Sequence, residues 1–233
     1  MRLTFASYNI HKAVGLDRKR DPERILSVLH EINADIIALQ EADRRIGARE
    51  SCIPRSEIDD SPWRLVEVAK RPRSIGWHGN ALLVRRKFEV HDAEALDLPT
   101  LEPRGAACGE LTVEGQRIRI IGTHLDLSGL RRRDQIRTLV RYVESCERGL
   151  PTVIMGDFNQ WGRATGAMRE FTEGWNVVTP GRTYPSRQPV ATLDRIVATR
   201  HWSCDGHQVH RTGLSTLASD HLPISATLEL IKK

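Results

Sequence analysis

The sequence predicts an α/β (α+β) fold: two mixed sheets with helices packed outside. Three observations lead there. Short apolar runs recur along the chain and alternate with two or three amphipathic segments. Some neighbouring runs are joined by tight turns, as in antiparallel hairpins, and others by helical stretches, as in parallel units. The length, 233 residues, suits one large core, so residues 1–233 form a single domain.

Residues 3–10, LTFASYNI, alternate apolar and polar like a strand. Asp21-Pro22 has the character of an N-cap followed by proline at the first helical position. Ile25, Leu26, Val28, Leu29 and Ile32 follow at helical spacing, which predicts a helix over 22–33. DIIALQE, 35–41, has the composition of a buried strand, and ALLVR, 81–85, of another. ELTVEGQRIRIIGTHL, 110–125, is a hairpin turning at Glu114-Gly115. Residues 130–147 form a charged helix with Ile136, Leu139, Val140 and Val143 inward. TVIMGDFN (152–159), LDRIVAT (193–199) and ISATLEL (224–230) are further strands. Residues 42–62 and 85–106 show little periodicity and are expected as long loops or strand edges.

Composition removes several classes. Hydrophobic residues at 39% and charged residues at 28% exclude a disordered chain. No apolar run reaches the roughly 18–20 residues of a membrane span. Cys52, Cys108, Cys146 and Cys204 are far apart with no CxxC, and the start lacks a signal-peptide apolar stretch. Reduced thiols in a cytoplasmic protein are the expectation. The net charge of +5 suits a polyanionic partner without requiring one. His201, Cys204, His207 and His210 recur every three residues, but strand spacing would send them to opposite faces and argues against zinc.

Polar residues recur at the ends of the apolar strands. They are Asn9, Gln40-Glu41, Thr123-His124, Asp157 with Asn159, Asp194, and Ser219-Asp220-His221. Strand ends meet at one rim of a sheet, where a rigid scaffold holds reactive side chains. Glu41 and Asp220 are hard oxygen ligands suited to Mg²⁺ or Mn²⁺, and Asn9 adds a neutral oxygen or orients a ligand. Asp157 suits orienting or deprotonating a water, and Asn159 holding that water or a phosphate oxygen. His124 and His221 suit donation to a developing phosphorane. Asp194 suits orienting His221. The set describes metal-assisted hydrolysis of a phosphate ester.

The motifs YNIH (8–11), LQE (39–41), HGNALL (78–83), GTHLDL (122–127), GDFN (156–159), LDRI (193–196) and SDHLP (219–223) stand in the order of a known family. The chain resembles the endonuclease/exonuclease/phosphatase superfamily of metal-dependent phosphoesterases. The resemblance implies a four-layer, DNase I-like β-sandwich flanked by helices. It implies Asn9, Glu41 and Asp220 at the metal, and Asp157 preparing the water with Asn159 beside it. It also implies His124 stabilising the transition state and Asp194 supporting His221 at the scissile phosphate. SYNIHKAVG, RRRDQ, GDFNQW and TYPSRQP are similar to small bacterial proteins of this group. Two departures stand out. His11 occupies a position where apurinic endonucleases carry aspartate, and Trp77-His78 stands where they carry a phosphate-facing tyrosine.

Trp77, His78, Asn80, Arg104 and Trp161 are weaker candidates for touching substrate. RRRDQIR, 131–137, is either an anion-binding face or a solvated helix face. Two substrate classes follow: nucleic acid, or a phospholipid headgroup or inositol phosphate. The short loops lack the DNA-gripping insertions of repair nucleases. The reading from another class is a catalytically inactive module of the same fold that binds a phosphate ligand.

Overall fold

The computed structural model describes residues 1–44, 47–100, 104–146, 149–162 and 166–231. It contains two six-stranded sheets. The first is built from β1 (Arg2–Asn9), β2 (Ile36–Gln40), β3 (Trp63–Leu65), β4 (Ala81–Arg85), β11 (Trp202–Val209) and β12 (Ile224–Leu230). Their order across the sheet is β11-β12-β1-β2-β4-β3. The second holds β5 (Glu89–Asp97), β6 (Gly105–Val113), β7 (Gln116–His124), β8 (Thr152–Asp157), β9 (Trp175–Val178) and β10 (Asp194–Thr199), in the order β5-β6-β7-β8-β10-β9.

Both sheets follow one plan. A parallel pair lies at the centre, β1 with β2 in one and β7 with β8 in the other, and the remaining pairs are antiparallel. A parallel pair needs a long crossover, and each crossover here contains a helix. Helix α1 (Pro22–Ile32) joins β1 to β2, and α3 (Gly129–Ser145) joins β7 to β8. Asp21 caps α1 by accepting from the Arg24 N–H, with Pro22 at the first position, and Asn33 closes it in the left-handed conformation.

The period-two alternation of strands separates three apolar layers. Phe5, Ala38, Leu82, Ile120, Met155 and Ile196 face inward between the sheets. Their neighbours Tyr8, Ile37, Leu39 and Leu83 face outward onto Ile25, Val28 and Leu29 of α1. Ile121, Ile154 and Val197 face outward onto Ile136 and Leu139 of α3. Helix, sheet, sheet and helix therefore make four layers, as the family resemblance implies.

The predicted helices and strands are present within a residue or two, and the hairpin turns at Glu114-Gly115. Residue 147, at the end of the expected 130–147 helix, lies outside the described residues. The two segments expected as loops or edges contain more order than that. Residues 42–62 include α2 (Arg55–Asp59). Residues 85–106 include the edge strand β5 and the start of β6, with 101–103 outside the described residues. β5 is mostly exposed along its length, so it carries no apolar period to detect. β9 and β11 are mostly exposed in the same way, and α4 (Gly213–Ala218) is too short to show a helical period. Arg132 is buried and donates to the Asp126 and Leu127 carbonyls, while Arg133 and Arg137 pair with Glu170. Within the RRRDQIR run Arg132 is thus an internal clamp, while Arg133 and Arg137 are ion-paired on a solvated face. His201, Cys204, His207 and His210 lie on or beside β11, and His210 pairs with Glu31.

Candidate functional site

The carboxyl ends of the central parallel strands lie at one rim, and the registers bring their last residues together. Asn9 is level with Gln40 across β1 and β2, and His124 with Asp157 across β7 and β8. Asp194 is level with Asp157 across β8 and β10. The rim of a sheet outside the carboxyl ends of parallel strands is a common place for ligands, because the strands fix side chains without closing them off.

Asp157 sits at the centre and is buried. Its Oδ2 accepts from Asn9 Nδ2 at 3.1 Å, and its Oδ1 from the Asn159 backbone N–H at 2.9 Å. His124 Nε2 lies 3.4 Å and His221 Nε2 3.7 Å from the same Oδ2. Asp194 is fully buried, so it is no surface ion-pair partner. Its Oδ2 accepts from His221 Nδ1 at 3.0 Å and from Thr183 Oγ1 at 2.5 Å. The Tyr184 ring packs against the His221 ring, with centroids 4.9 Å apart.

The two histidines are held in opposite charge states. Burial pushes His124 down, and Arg104 adds to it; the carboxylates of Asp157 and Glu41 only partly offset this, and the result is about 4. Burial acts the same way on His221. There Asp194, Asp157 and Asp220 outweigh it and push the group up to about 10. One imidazole is therefore neutral and the other cationic across the neutral range.

Glu41 stands on the other side of His124. Burial favours its neutral acid, but His124, the Lys12 ammonium and His11 outweigh that and hold the carboxyl below its ordinary range. Lys12 Nζ lies directly on Glu41 Oε2. Lys12 reaches it from a turn in which His11, Lys12 and Ala13 all have positive φ. His11 N–H donates to Asn9 Oδ1 at 3.1 Å, and Lys12 N–H to the Glu41 carbonyl at 3.2 Å. Asp220 lies 3.9 Å from His11 Nδ1, and the neighbouring Ser219 hydroxyl donates to the Asn9 carbonyl. Among the described residues, the acid and histidine atoms that gather most compactly belong to Asp157, Asp194 and His221, all within 4.8 Å of one another. Two of those three are already bonded to each other, and the Glu41 carboxylate is held by Lys12.

A small cavity opens beside Glu41 and His124 and is lined further back by His78, Arg104, Arg44 and Arg49. Arg49 Nη1 donates to His78 Nδ1 at 2.7 Å. His78 and Arg104 thus line the site. The other weak candidates do not. Asn80 is fully buried, and its amide donates to the Gly105 and Trp77 carbonyls, so it fixes the turn that carries His78. Trp77 packs on the inter-sheet core. Trp161 is exposed in the loop after β8 and does not line this cavity. One Asn159 amide N–H is taken by the Leu125 carbonyl at 2.8 Å, which ties the ends of β7 and β8 together. A wide groove lies elsewhere, lined by Trp175 and Cys204, and contains none of these residues.

Sequence reasoning missed Lys12, Thr183 and Tyr184. Lys12 directly follows the YNIH motif, but only the left-handed turn brings it onto Glu41. Thr183 and Tyr184 belong to TYPSRQP, whose role is invisible until the segment folds beneath Asp194.

The match that decides the family runs through this site. The model of the Endonuclease/Exonuclease/phosphatase family matches residues 6–221. The chain belongs to that family. It is 26% identical over 244 residues to the uncharacterized protein YbhP of Escherichia coli K12, covering 95% of this chain and 94% of that one. Among solved structures it is similar to D. rerio TDP2 complexed with a single-strand DNA product. The TM-score there is 0.76 at 17% identity, over 98% of this chain and 99% of that one. It is also similar to a mannosyl-6-phosphatase of Bacteroides thetaiotaomicron, with TM-score 0.75 at 16% identity over 98% and 100% of the two chains. At those identities the two structures show the shared fold. Members of this family are hydrolases of phosphate esters that generally depend on a divalent metal.

Proposed function

We propose that this protein is a divalent-metal-dependent phosphoesterase that cleaves a phosphodiester or phosphomonoester by in-line attack of water. The observation that carries this reading is the meeting of a locked carboxylate, Asp157, with the ring nitrogens of two buried histidines, His124 and His221, at the ends of β7, β8 and the segment before β12.

Asp157 accepts the proton of the attacking water. Asn9 and the Asn159 N–H fix the carboxylate for that task. His221, kept cationic by Asp194, faces the charge that builds on the phosphoryl oxygens. Asp194 also fixes the tautomer and plane of the ring, and Thr183 fixes Asp194. His124, kept neutral, donates a hydrogen bond there without adding charge. The new P–O bond forms to the water oxygen as the ester P–O bond breaks.

The residues present fit a divalent cation. Glu41 supplies an ionised, half-buried carboxylate that already holds one cation, the Lys12 ammonium. Asn9 and Asp220 supply further hard oxygens, a donor set suited to Mg²⁺ or Mn²⁺. When bound, the ion supplies Lewis-acid stabilisation of the transferred phosphoryl group. The full polar set argues against an inactive binding module. The test is hydrolysis of bis(4-nitrophenyl) phosphate and nicking of supercoiled plasmid, each with and without Mg²⁺ or Mn²⁺. His221→Ala and Asp157→Asn, purified identically, serve as controls. Metal-dependent turnover by the parent alone supports the reading. Equal rates in parent and variants remove it.

A further inference from the structure

We infer that the rim around this site is a docking face for an anionic phospholipid surface. The inference rests on the hydrolase reading above and narrows its substrate to a headgroup presented at a membrane.

Eight large apolar side chains are exposed among the described residues. Six of them lie on the segments that leave or enter the site's strand ends: Leu16, Leu127, Trp161 and Val190 in loops, Leu130 in the first turn of α3 and Leu217 in α4. Leu127 follows His124 by three residues, and Trp161 follows Asn159 by two. Val190 precedes Asp194 by four, and Leu217 precedes His221 by four. Val177 and Ile231 are the two that lie elsewhere. The most exposed are Leu130 at 75%, Leu127 at 70% and Trp161 at 64%. Scattered single leucines need no explanation, but their concentration on the segments flanking one site does.

These side chains stand on braced stems. Arg132 donates to the Leu127 carbonyl at 2.6 Å and to Gln160 Oε1 at 3.2 Å, joining the first loop to the second. Thr192 Oγ1 donates to the Trp161 carbonyl, and Arg195 to the Gln160 and Gly162 carbonyls, joining the second to β10. Leu16 N–H donates to the Leu217 carbonyl at 2.9 Å. The exposed apolar side chains thus project from a hydrogen-bonded frame rather than from loose loop tips.

Charge selects the occupant. Arg18, Lys19 and Arg20 are exposed in the loop of Leu16, and Arg187 in the turn of Val190. Arg211 beside it donates to the Arg187 carbonyl. The acid in the first loop, Asp17, is engaged by Arg24. Exposed leucines and a tryptophan interleaved with arginine and lysine are the composition of an interfacial surface on anionic lipid. A nucleic-acid face would present cations and stacking rings without bare leucines at its centre. No described helix is long and apolar enough to cross a membrane, so the contact is peripheral.

The test is co-sedimentation with vesicles of phosphatidylcholine alone and of phosphatidylcholine with phosphatidylglycerol. The parent is expected to bind the anionic vesicles. Leu127→Ser with Leu130→Ser should lower that partition by on the order of tenfold or more. The same double variant should hydrolyse bis(4-nitrophenyl) phosphate at the parent's rate. Trp161 emission should shift to the blue on the anionic vesicles, a shift absent in Trp161→Phe. Undiminished vesicle binding by the double variant overturns the inference, as does a parent that stays in the supernatant. A double variant that loses affinity for single-stranded DNA and not for vesicles also overturns it. Asp157→Asn separates the two readings, since it should keep vesicle binding while losing turnover. If the parent binds vesicles but cleaves no phosphoester, docking stands and the hydrolase reading fails.

Discussion

Asn9 Nδ2 donates to Asp157 Oδ2 at 3.1 Å and so ties the end of β1 in one sheet to the end of β8 in the other. The bond spans 148 positions of sequence and crosses the inter-sheet core at its rim. Its Oδ1 is engaged as well, by the His11 N–H, so the amide orientation is fixed at both ends.

That constraint predicts unequal losses. Asp157→Asn keeps the shape but removes the proton acceptor, and turnover should fall by about 10³-fold, within the range for a general base. Asn9→Ala keeps Asp157 but leaves it short of one buried donor, and the loss should be about 10- to 100-fold. Steady-state rates on bis(4-nitrophenyl) phosphate, with circular dichroism to confirm folding, measure both. A larger loss in Asn9→Ala than in Asp157→Asn would contradict the assignment of the base.

The Asp194–His221 pair predicts a titration. In metal-free protein the His221 ring should stay protonated through neutral pH and lose its proton near 10. Asp194→Asn removes the nearest counter-charge while keeping the burial, so His221 should then lose its proton well below 10. Proton–nitrogen NMR of the ring reads this directly. The sign for stability follows from a folded pKa above the unfolded one. The dyad's contribution is fully present below about pH 6.5, declines as pH rises, and is gone above about 10. The gap in urea midpoint between parent and Asp194→Asn should therefore close on the alkaline side. A gap that instead closes on the acid side would refute the cationic assignment.

Lys12 predicts a competition. Its ammonium must leave Glu41 before a divalent ion can take that carboxylate. The pair is about a quarter exposed on each side and therefore modest in strength. Lys12→Gln should tighten Mg²⁺ or Mn²⁺ binding by about two- to fivefold, and Glu41→Gln should weaken it by about tenfold or more. Isothermal titration without substrate measures both. If Lys12→Gln weakens metal binding, Lys12 supports the site rather than competing for it.

The legible parts of this chain are those where a local pattern and a tertiary role coincide. The two central parallel pairs are buried on both faces, so DIIALQE and TVIMGDFN are near-continuous apolar runs and declare themselves. The polar residues ending them, Glu41, His124, Asp157 and Asn9, stand out by contrast. Edge strands have no such contrast. β5 pairs along nearly its whole length with β6, yet its sequence EVHDAEALD is that of a solvated surface. Asn80 looked like a substrate contact because it neighbours His78, but burial is a tertiary property that its sequence neighbours do not report. Lys12 depends on three successive left-handed residues, a conformation that His, Lys and Ala do not advertise.

Gly156 carries the last prediction. It precedes Asp157 in the GDFN motif and is level with Thr123 in the parallel β7–β8 pair. A Cβ built there would lie 1.8 Å from the Thr123 carbonyl oxygen, which is main chain and cannot swing aside. Gly156→Ala must therefore push β8 away from β7 at the point where both strands deliver their site residues. Overpacking of this kind costs about 1–3 kcal/mol, and a backbone clash belongs at the upper end. The displacement also moves Asp157 relative to His124, and a shift on the order of 1 Å can cost about 10²-fold in rate. Urea denaturation and turnover should both fall in Gly156→Ala. Met155→Ala, one residue earlier, faces the inter-sheet core instead. It should cost about 2–5 kcal/mol in stability while leaving turnover of the folded fraction nearly intact. The contrast between two neighbours, one uncoupled from the chemistry and one coupled to it, tests whether the glycine is kept for the site or for the core.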